Sequence, residues 1–595
     1  MSHVVRATLR VAPPRGAIVG CSMAFITTAI DYTNAPPHIG HAYEKILADV
    51  LARYQRLRGE PVYFLTGVDQ HGQKVQLAAG KEGVEPQAFV DALSEKFIAL
   101  WSRLEVEYDG WAATTNPLHK ECVREILQAL HDAGELYQAP YKGFYSERQE
   151  QFLTDKERGP DGTFGPEWGH VVELEEVNWY FRLTKYKDWL VDFITNTPGL
   201  ATPEYRQREL LNAAKKIEGD LSISRPKARL SWGIEMPFGH DYVTYVWFDA
   251  LVNYISFAGY RQTRDASGQL APSFPNPPGP GCTWPALHVI GKDILIPAHG
   301  IYWLCMLKAM GFADDQMPKL LVHGYVNISG EKMSKSLGNI KDPNEVVDSL
   351  AAAVRRGFEK NNEAAAKKGK APTPEAEIAA FAKRCGPEAL RYYLMRDCQV
   401  GGDMDFADDR LLSRYEADLA NALGNLLNRT LSMAQNPKYL GGILRPPPAG
   451  TEEFVFQDQT IQLAKIWRVD ALETVRAYTD AMNAHKVNVA LEAAFQFATT
   501  CNTLIEQAAP FKLAKEETPD RKDQLAAVLY TLAESIRIIA ILIAPVLPRA
   551  AAEIFTQLNV SGEPKLADAK WGGLADHHHL GQPTPLFPRL EKAAS

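Results

Sequence analysis

The chain of 595 residues has no C-x-x-C pair. Its seven cysteines, Cys21, Cys122, Cys282, Cys305, Cys385, Cys398 and Cys501, are scattered. This excludes a zinc knuckle or disulfide framework of the usual spacing and reads as the reduced, buried thiols of a cytoplasmic protein. No run of about 18 uncharged apolar residues occurs, so a membrane-spanning helix is not expected. Positive charge is not in excess: 64 Lys and Arg stand against 72 Asp and Glu, a formal net charge of −8. Indiscriminate coating of nucleic acid is therefore excluded, whereas a local basic face remains open. The first 22 residues contain no acidic residue but do contain Arg6, Arg10 and Arg15. They read as a disordered extension, or as sequence ahead of a start at Met23. The other reading is an Arg-rich organellar transit segment.

What is present is ordinary globular composition, 46% hydrophobic and 23% charged, over a length that needs about three to five domains. The β-branched run 24–30 suits a buried strand, followed by a turn at Asn34-Ala35-Pro36-Pro37. His38-Ile39-Gly40-His41 then opens a helix with Ile46, Leu47, Val50, Leu51, Tyr54 and Leu57 on one face and a stop at Gly59. A second strand returns at 61–66. This strand–helix–strand unit predicts an α/β fold, a doubly wound Rossmann-like parallel sheet with a nucleotide crevice at its carboxyl edge. A polar, turn-rich stretch from 135 to 235 reads as an inserted domain, and strand-like sequence resumes at 242–247, 287–290 and 320–326. The last strand leads into Lys332-Met333-Ser334-Lys335-Ser336. Residues 351–384 are rich in Ala, Lys and Glu and read as an exposed helical insertion. From 409 to 557 the pattern is nearly all helical, ahead of a Gly- and Pro-containing tail.

The His38 and Lys332 segments, each at a strand-to-loop transition, describe two walls of an ATP site. Attack of a carboxylate on the α-phosphate spreads negative charge over that phosphate and the departing pyrophosphate. Such a step needs positioned donors more than an acid–base pair. Imidazole N–H groups of His38 and His41 at a helix start, Gly40 without a side chain, and Lys332 and Lys335 on a glycine-flanked loop meet that need. Alone, the histidines are equally ordinary helix caps and the lysines a solvated loop; their pairing favours the phosphate reading.

These residues resemble the class I aminoacyl-tRNA synthetases, with their HIGH and KMSKS motifs, and most closely the methionyl-tRNA synthetase family. Supporting segments are Phe64–Gly72, Tyr245–Tyr254, Ala389–Leu394 and Phe587–Leu590. The resemblance implies ATP-dependent activation of L-methionine and its transfer to tRNA(Met), initiator tRNA included. His38, His41, Lys332 and Lys335 would be catalytic, and Gly40, Ser334 and Ser336 would join them in binding ATP. Ile30, Asp69, Trp247, Ala250, Leu251, Tyr254, Asp293, His299 and Trp303 would bind methionine. An aromatic-walled pocket suits a polarizable thioether, although Trp247 and Trp303 read by themselves as core residues. The interval from Asp293 to His299 is one residue longer than the family spacing, and Gln70 stands where the family usually has Glu.

The resemblance also divides the chain. It implies an extension (1–22), a first catalytic half (23–134), a connective domain (135–235), a second catalytic half (236–345), a stem-contact region (346–408), an all-α anticodon-binding bundle (409–557) and a tail (558–595). Asn425 and Arg429, four residues apart on one helix face, and Phe511 would read the anticodon. The stretch that holds zinc knuckles in relatives is Tyr145–Phe152, without cysteine, so no structural zinc is expected. His577-His578-His579 reads as a solvated loop, and Mg2+ is expected to arrive with ATP. A monomer without membrane attachment is expected. Synthetases for valine, leucine or isoleucine are disfavoured because the insertion leaves no room for an editing domain. A catalytically silent tRNA-binding paralogue has no need of His38, His41, Lys332 and Lys335.

Overall fold

A computed structural model describes residues 25–148, 151–153, 155–275, 284–333, 338–367, 369, 371–516 and 518–591. Seven strands form the parallel sheet at its centre: β1 (Phe25–Thr28), β2 (Asp31–Tyr32), β3 (Tyr63–Asp69), β4 (Gly110–Ala113), β5 (Ala201–Thr202), β6 (Leu287–Gly291) and β7 (Lys319–His323). Their order is β4–β3–β1–β6–β7–β5, and β2 prolongs β1 along the same side of β3. The winding reverses between β1 and β6, so the crevice of a doubly wound sheet opens at the carboxyl ends of these two strands. The helix Ile39–Leu57 packs Ile46, Leu47, Val50, Leu51 and Tyr54 onto one face of the sheet, and Gly59 (φ 81°) ends it. The helix Val246–Ser256 covers the opposite face.

Within 135–235, strands Leu136–Ser146, Val171–Phe181, Gln151–Leu153 and Leu221–Ser222 form a separate antiparallel sheet. Arg158 organises its far end: the guanidinium carbon lies 4.4 Å from both the Phe144 and Phe164 ring centres. The same stretch also returns to the main body. Ala201 and Thr202 pair with Leu320 and Leu321, and Leu190, Phe193 and Leu210 join the core around Trp303. Residues 351–384 differ from the exposed insertion expected. They lie within a packed pair of helices, Pro343–Ala366 and Glu375–Asp397, that buries Val354, Phe358, Ile378, Phe381 and Ala382. Phe358 stacks on Phe381 at 5.1 Å. The Ala- and Lys-rich text hid one apolar face at helical spacing.

The remainder is a helical bundle with helices at Asn425–Gln435, Ala471–Asn483, Val487–Ala508, Pro519–Ile543 and Pro548–Leu558. One hairpin, Glu453–Phe456 with Gln459–Gln462, interrupts what read as continuous helix. Its turn residues Gln457 (φ 49°) and Asp458 (φ 59°) adopt the left-handed geometry that glycine or asparagine normally signals. The helix Pro519–Ile543 has the length and hydropathy of a membrane span, with 94% of its apolar window buried in the bundle. His578 and His579 are not a free loop: they pair with Leu444 and Ile443, and His578 Nε2–H donates to Leu558 O. The wholly buried Arg391 joins bundle to sheet. Its guanidinium donates to Asp49 Oδ2 (2.6 Å), Val546 O (2.9 Å), Leu104 O (3.1 Å) and Pro545 O (3.1 Å). The thiols of Cys122, Cys305, Cys385, Cys398 and Cys501 are free and buried.

Candidate active site

At the carboxyl end of β1, His38 caps the helix and is locked to His41 by a reciprocal pair of bonds. Gly40 N–H donates to His38 Nδ1 (3.1 Å), and His38 N–H donates to His41 Nδ1 (3.0 Å). Both Nδ1 atoms therefore accept, which leaves the proton of each neutral ring on Nε2. The rings stack at 3.8 Å. Burial lowers the His38 pKa to about 4 against the opposing charge of Asp293. Burial also holds His41 well below the usual range, with His38 and Lys45 adding to the effect. The capping role and the donor role thus coexist: Nδ1 serves the helix and Nε2–H is left for a ligand. A Cβ on Gly40 would lie 3.0 Å from His38 Cε1 and 3.5 Å from Met333 Cε.

The second wall is a hairpin, Val326–Ile328 with Glu331–Lys332, whose first strand pairs in parallel with Met404–Phe406. Gly330 N–H donates to Asp405 Oδ1 (2.8 Å), fixing the turn. Lys332 Nζ, largely exposed, lies 4.0 Å over the Tyr325 ring and 3.9 Å from Asp293 Oδ2. Ile39 N–H donates to Lys341 O (3.0 Å), so the chain beyond the loop is pinned to the helix that carries His41. Ser334, Lys335 and Ser336 lie outside the described residues.

Between the walls and the helix Val246–Ser256 is an aromatic cluster in which Ala250, Leu251, Tyr254, His299 and Trp303 are buried and Trp247 is half-buried. His299 Nδ1–H is committed to Ile294 O (2.9 Å), so the Tyr254 hydroxyl donates to His299 Nε2 (2.7 Å). Burial brings the His299 pKa down to about 4, keeping it neutral. Ahead of His299, Ile296 leaves helical geometry (φ −120°, ψ 123°) and Leu295–Trp303 is wound with π spacing; His299 and Trp303 are both buried. Asp293 is placed differently from the rest of the set. It is exposed at the rim beside Lys332, and its charge reaches both His38 and His299. Asp69 is buried at the end of β3, with Thr114 Oγ1 and His71 N–H at 3.4 Å from Oδ1. Ile30 follows β1 and packs with Phe25, Leu65 and Trp284.

Sequence reasoning missed His288, which ties the aromatic cluster to the sheet. Trp303 Nε1–H donates to His288 Nε2 (3.1 Å), His288 Nδ1–H donates to Thr27 Oγ1 (2.6 Å), and the ring lies 4.1 Å from Tyr254. A histidine inside the apolar run of β6 was the available signal. Asp249 was also missed: His71 Nδ1 (2.6 Å) and His119 Nε2 (2.7 Å) both donate to its wholly buried carboxylate. Burial works against that charge, yet the two histidines hold its pKa down at about 2.

A family profile described as tRNA synthetases class I (M) matches residues 24–162, 169–369 and 375–431. One described as the anticodon binding domain of methionyl tRNA ligase matches residues 460–594. A methionine–tRNA ligase of Deinococcus radiodurans is 39% identical over 576 residues, 96% of this chain and 75% of that one. The corresponding ligase of Bacillus subtilis is 36% identical over 584 residues, 95% of this chain and 78% of that one. The crystal structure of Mycobacterium tuberculosis methionyl-tRNA synthetase bound by methionyl-adenylate superposes with a TM-score of 0.78 at 32% identity, covering 95% of this chain and 99% of that chain. The chain belongs to the class I methionyl-tRNA synthetase family.

The anticodon candidates of this synthetase lie in the helical bundle. Arg414 bonds Asp397, Arg396 reaches Glu492, and further along Asn502 Nδ2–H donates to Ala422 O. The helices that carry residues 415–435 and 487–508 therefore run side by side in the same sense; Asn425 and Arg429 lie on the first, and Phe511 follows the end of the second. Asn425 is exposed, Phe511 is 48% exposed, and Arg429 forms no ion pair among the described residues. No group of three or more His, Cys, Asp or Glu gathers as a metal site among the described residues.

Proposed function

We propose that this chain joins L-methionine to ATP as methionyl-adenylate and transfers the methionyl group to tRNA(Met). The observation that carries this reading is the meeting of a hydrogen-bonded aromatic cluster and two donor-bearing walls at the β1/β6 crevice. In the first step a methionine carboxylate oxygen attacks the α-phosphorus. The new O–P bond forms as the bond to the bridging oxygen breaks, and pyrophosphate leaves with that electron pair. Nε2–H of His38 and His41, with Lys332 and Lys335, face the charge that develops on the phosphates, and no proton need move. Asp69 opposes the α-ammonium group, the Ile30 backbone holds the amino acid, and Trp247, Ala250, Leu251, Tyr254, His299 and Trp303 enclose the thioether. Gly40 lets the nucleotide approach the backbone, and Asp293 at the rim orders Lys332. With no carboxylate cluster gathered among the described residues, Mg2+ accompanies the ATP phosphates.

Asn425, Arg429 and Phe511 read the anticodon, Phe511 by stacking on an unpaired base. The protein acts as a cytoplasmic monomer. A sedimentation mass near twice 66.1 kDa would overturn the monomer. Methionine-dependent exchange of labelled pyrophosphate into ATP tests the first step; its absence leaves the silent tRNA-binding reading. Phe511→Ala should lower kcat/KM for tRNA charging about tenfold and leave the exchange reaction unchanged.

A further inference from the structure

Beneath the two walls lies a buried charged network that the proposed chemistry does not use. Lys45, on the helix that begins at Ile39, is 0% exposed and donates from Nζ to Ala29 O, Asp31 Oδ1 and Glu44 Oε1, each at 2.8 Å. Glu44 Oε2 in turn accepts from His323 Nε2 (3.0 Å), whose Nδ1–H donates to Gly324 O (2.8 Å). Ala29 and Asp31 stand at the end of β1, the strand that leads to His38. His323 and Gly324 stand at the end of β7, the strand that leads through Tyr325 to Lys332. The bonds therefore form one chain between the two strand ends that deliver the ATP walls. Its members also lie near both substrates' sites: the Lys45 charge reaches His41, and the Glu44 charge reaches Tyr254 and His299.

Buried ion pairs of this kind contribute little net stability, because removing charges from water offsets their attraction, and apolar replacements are often as stable. What such a network supplies is fixed geometry. A shift of about 1 Å between catalytic groups can cost roughly a hundredfold in rate. We propose that Lys45 is a positioning residue that sets the separation of the His38 and Lys332 walls by tying the end of β1, through Glu44 and His323, to the end of β7. Lys45 touches neither substrate. Its effect is expressed where the walls must fit the charge developing on the phosphates, in kcat and not in KM. The inference rests on the reading of these walls as an ATP site.

The experiment uses the full chain with Asp31→Leu/Lys45→Met, which removes the ammonium with one of its two carboxylates and leaves Glu44 paired with His323. Methionine-dependent pyrophosphate exchange is measured with kcat expressed per titrated active site, so that loss of folded protein does not move it. The expected result is a fall of fivefold or more in that kcat, with KM for methionine and ATP within twofold of wild type. A smaller fall, or a change borne by KM, overturns the proposal. Where the double variant does not accumulate, Lys45→Gln decides by the same thresholds, since it keeps two donors for Ala29 O and Asp31 but cannot also reach Glu44. A wild type without exchange overturns the ATP-site reading and this proposal together. An active wild type beside an unaffected variant overturns this proposal alone.

Discussion

The aromatic cluster proposed to hold methionine and the walls proposed to hold ATP share one edge of one sheet and are built in different ways. In the aromatic cluster most bonds join side chain to side chain, Tyr254 to His299, Trp303 to His288 and His288 to Thr27, with His299 also anchored to Ile294 O. At the walls each bond pairs a backbone amide with a side chain: those of His38 and Gly40 orient two imidazoles, and that of Gly330 bonds Asp405. Tyr254, His299 and Trp303 are buried, whereas Lys332 is 60% exposed at its side chain. The difference follows the task. Recognition of an uncharged thioether gains from a preformed, desolvated cavity. Stabilisation of charge that exists only in the transition state gains from groups that complete their contacts late.

The sharpest way to break this contrast is His38→Ala. It should lower kcat for pyrophosphate exchange roughly 10²–10³-fold, the usual cost of one transition-state donor, with KM for methionine almost unchanged. A rise in KM alone would make the wall an ordinary binding surface. Gly40→Ala comes next. A methyl group 3.0 Å from His38 Cε1 must displace the ring, so kcat should fall about tenfold. Thermal stability should hold or rise, because alanine is favoured over glycine in a helix by roughly 0.5–1 kcal/mol. Tyr254→Phe probes the other side: the lost bond to His299 should raise KM for methionine roughly fivefold, about 1 kcal/mol, and leave kcat in place. The smallest effect is shared by both regions. Burial lowers His38 and His299 to about 4 and holds His41 and His288 well below the usual range, against about 6.5 in the unfolded chain. At these four rings the unfolded state binds more protons, so their contribution to stability falls as pH drops from about 6.5 toward 4; Asp31 and Glu388, raised by burial to about 7, act in the opposite sense as the smaller set. Urea midpoints at pH 7.5, 6.0 and 5.0 check the sign; a midpoint that rises on acidification would refute it.

The candidate site was legible mainly as a combination: a histidine pair at a helix start and a lysine loop after a strand point to phosphate only when taken together, and the Trp247–Tyr254 run reads as core until the family resemblance makes it a candidate pocket. The residues that hold these groups carried fainter signals. Lys45 is a cation on an apolar helix face and His288 a polar residue in an apolar strand, and each acquires meaning only when distant elements meet. The π winding of Leu295–Trp303 is a property of the backbone that composition does not encode. The hairpin at 453–462 was hidden because its turn uses Gln457 and Asp458 without a glycine, and the pair at 343–397 because abundant Ala, Lys and Glu diluted its apolar face.

Arg391 limits how far this protein can be divided. One guanidinium serves the helix that starts at the His38 motif, the turn after Arg103 and the turn at Pro545 and Val546. A cut anywhere between sheet and bundle would strand a buried charge on one side and unfilled carbonyl acceptors on the other. A bundle borrowed from a relative to alter tRNA choice must therefore bring two carbonyls that match Arg391. Catalytic and anticodon-reading parts are distinct in the order of the chain, but not separable as cloning modules.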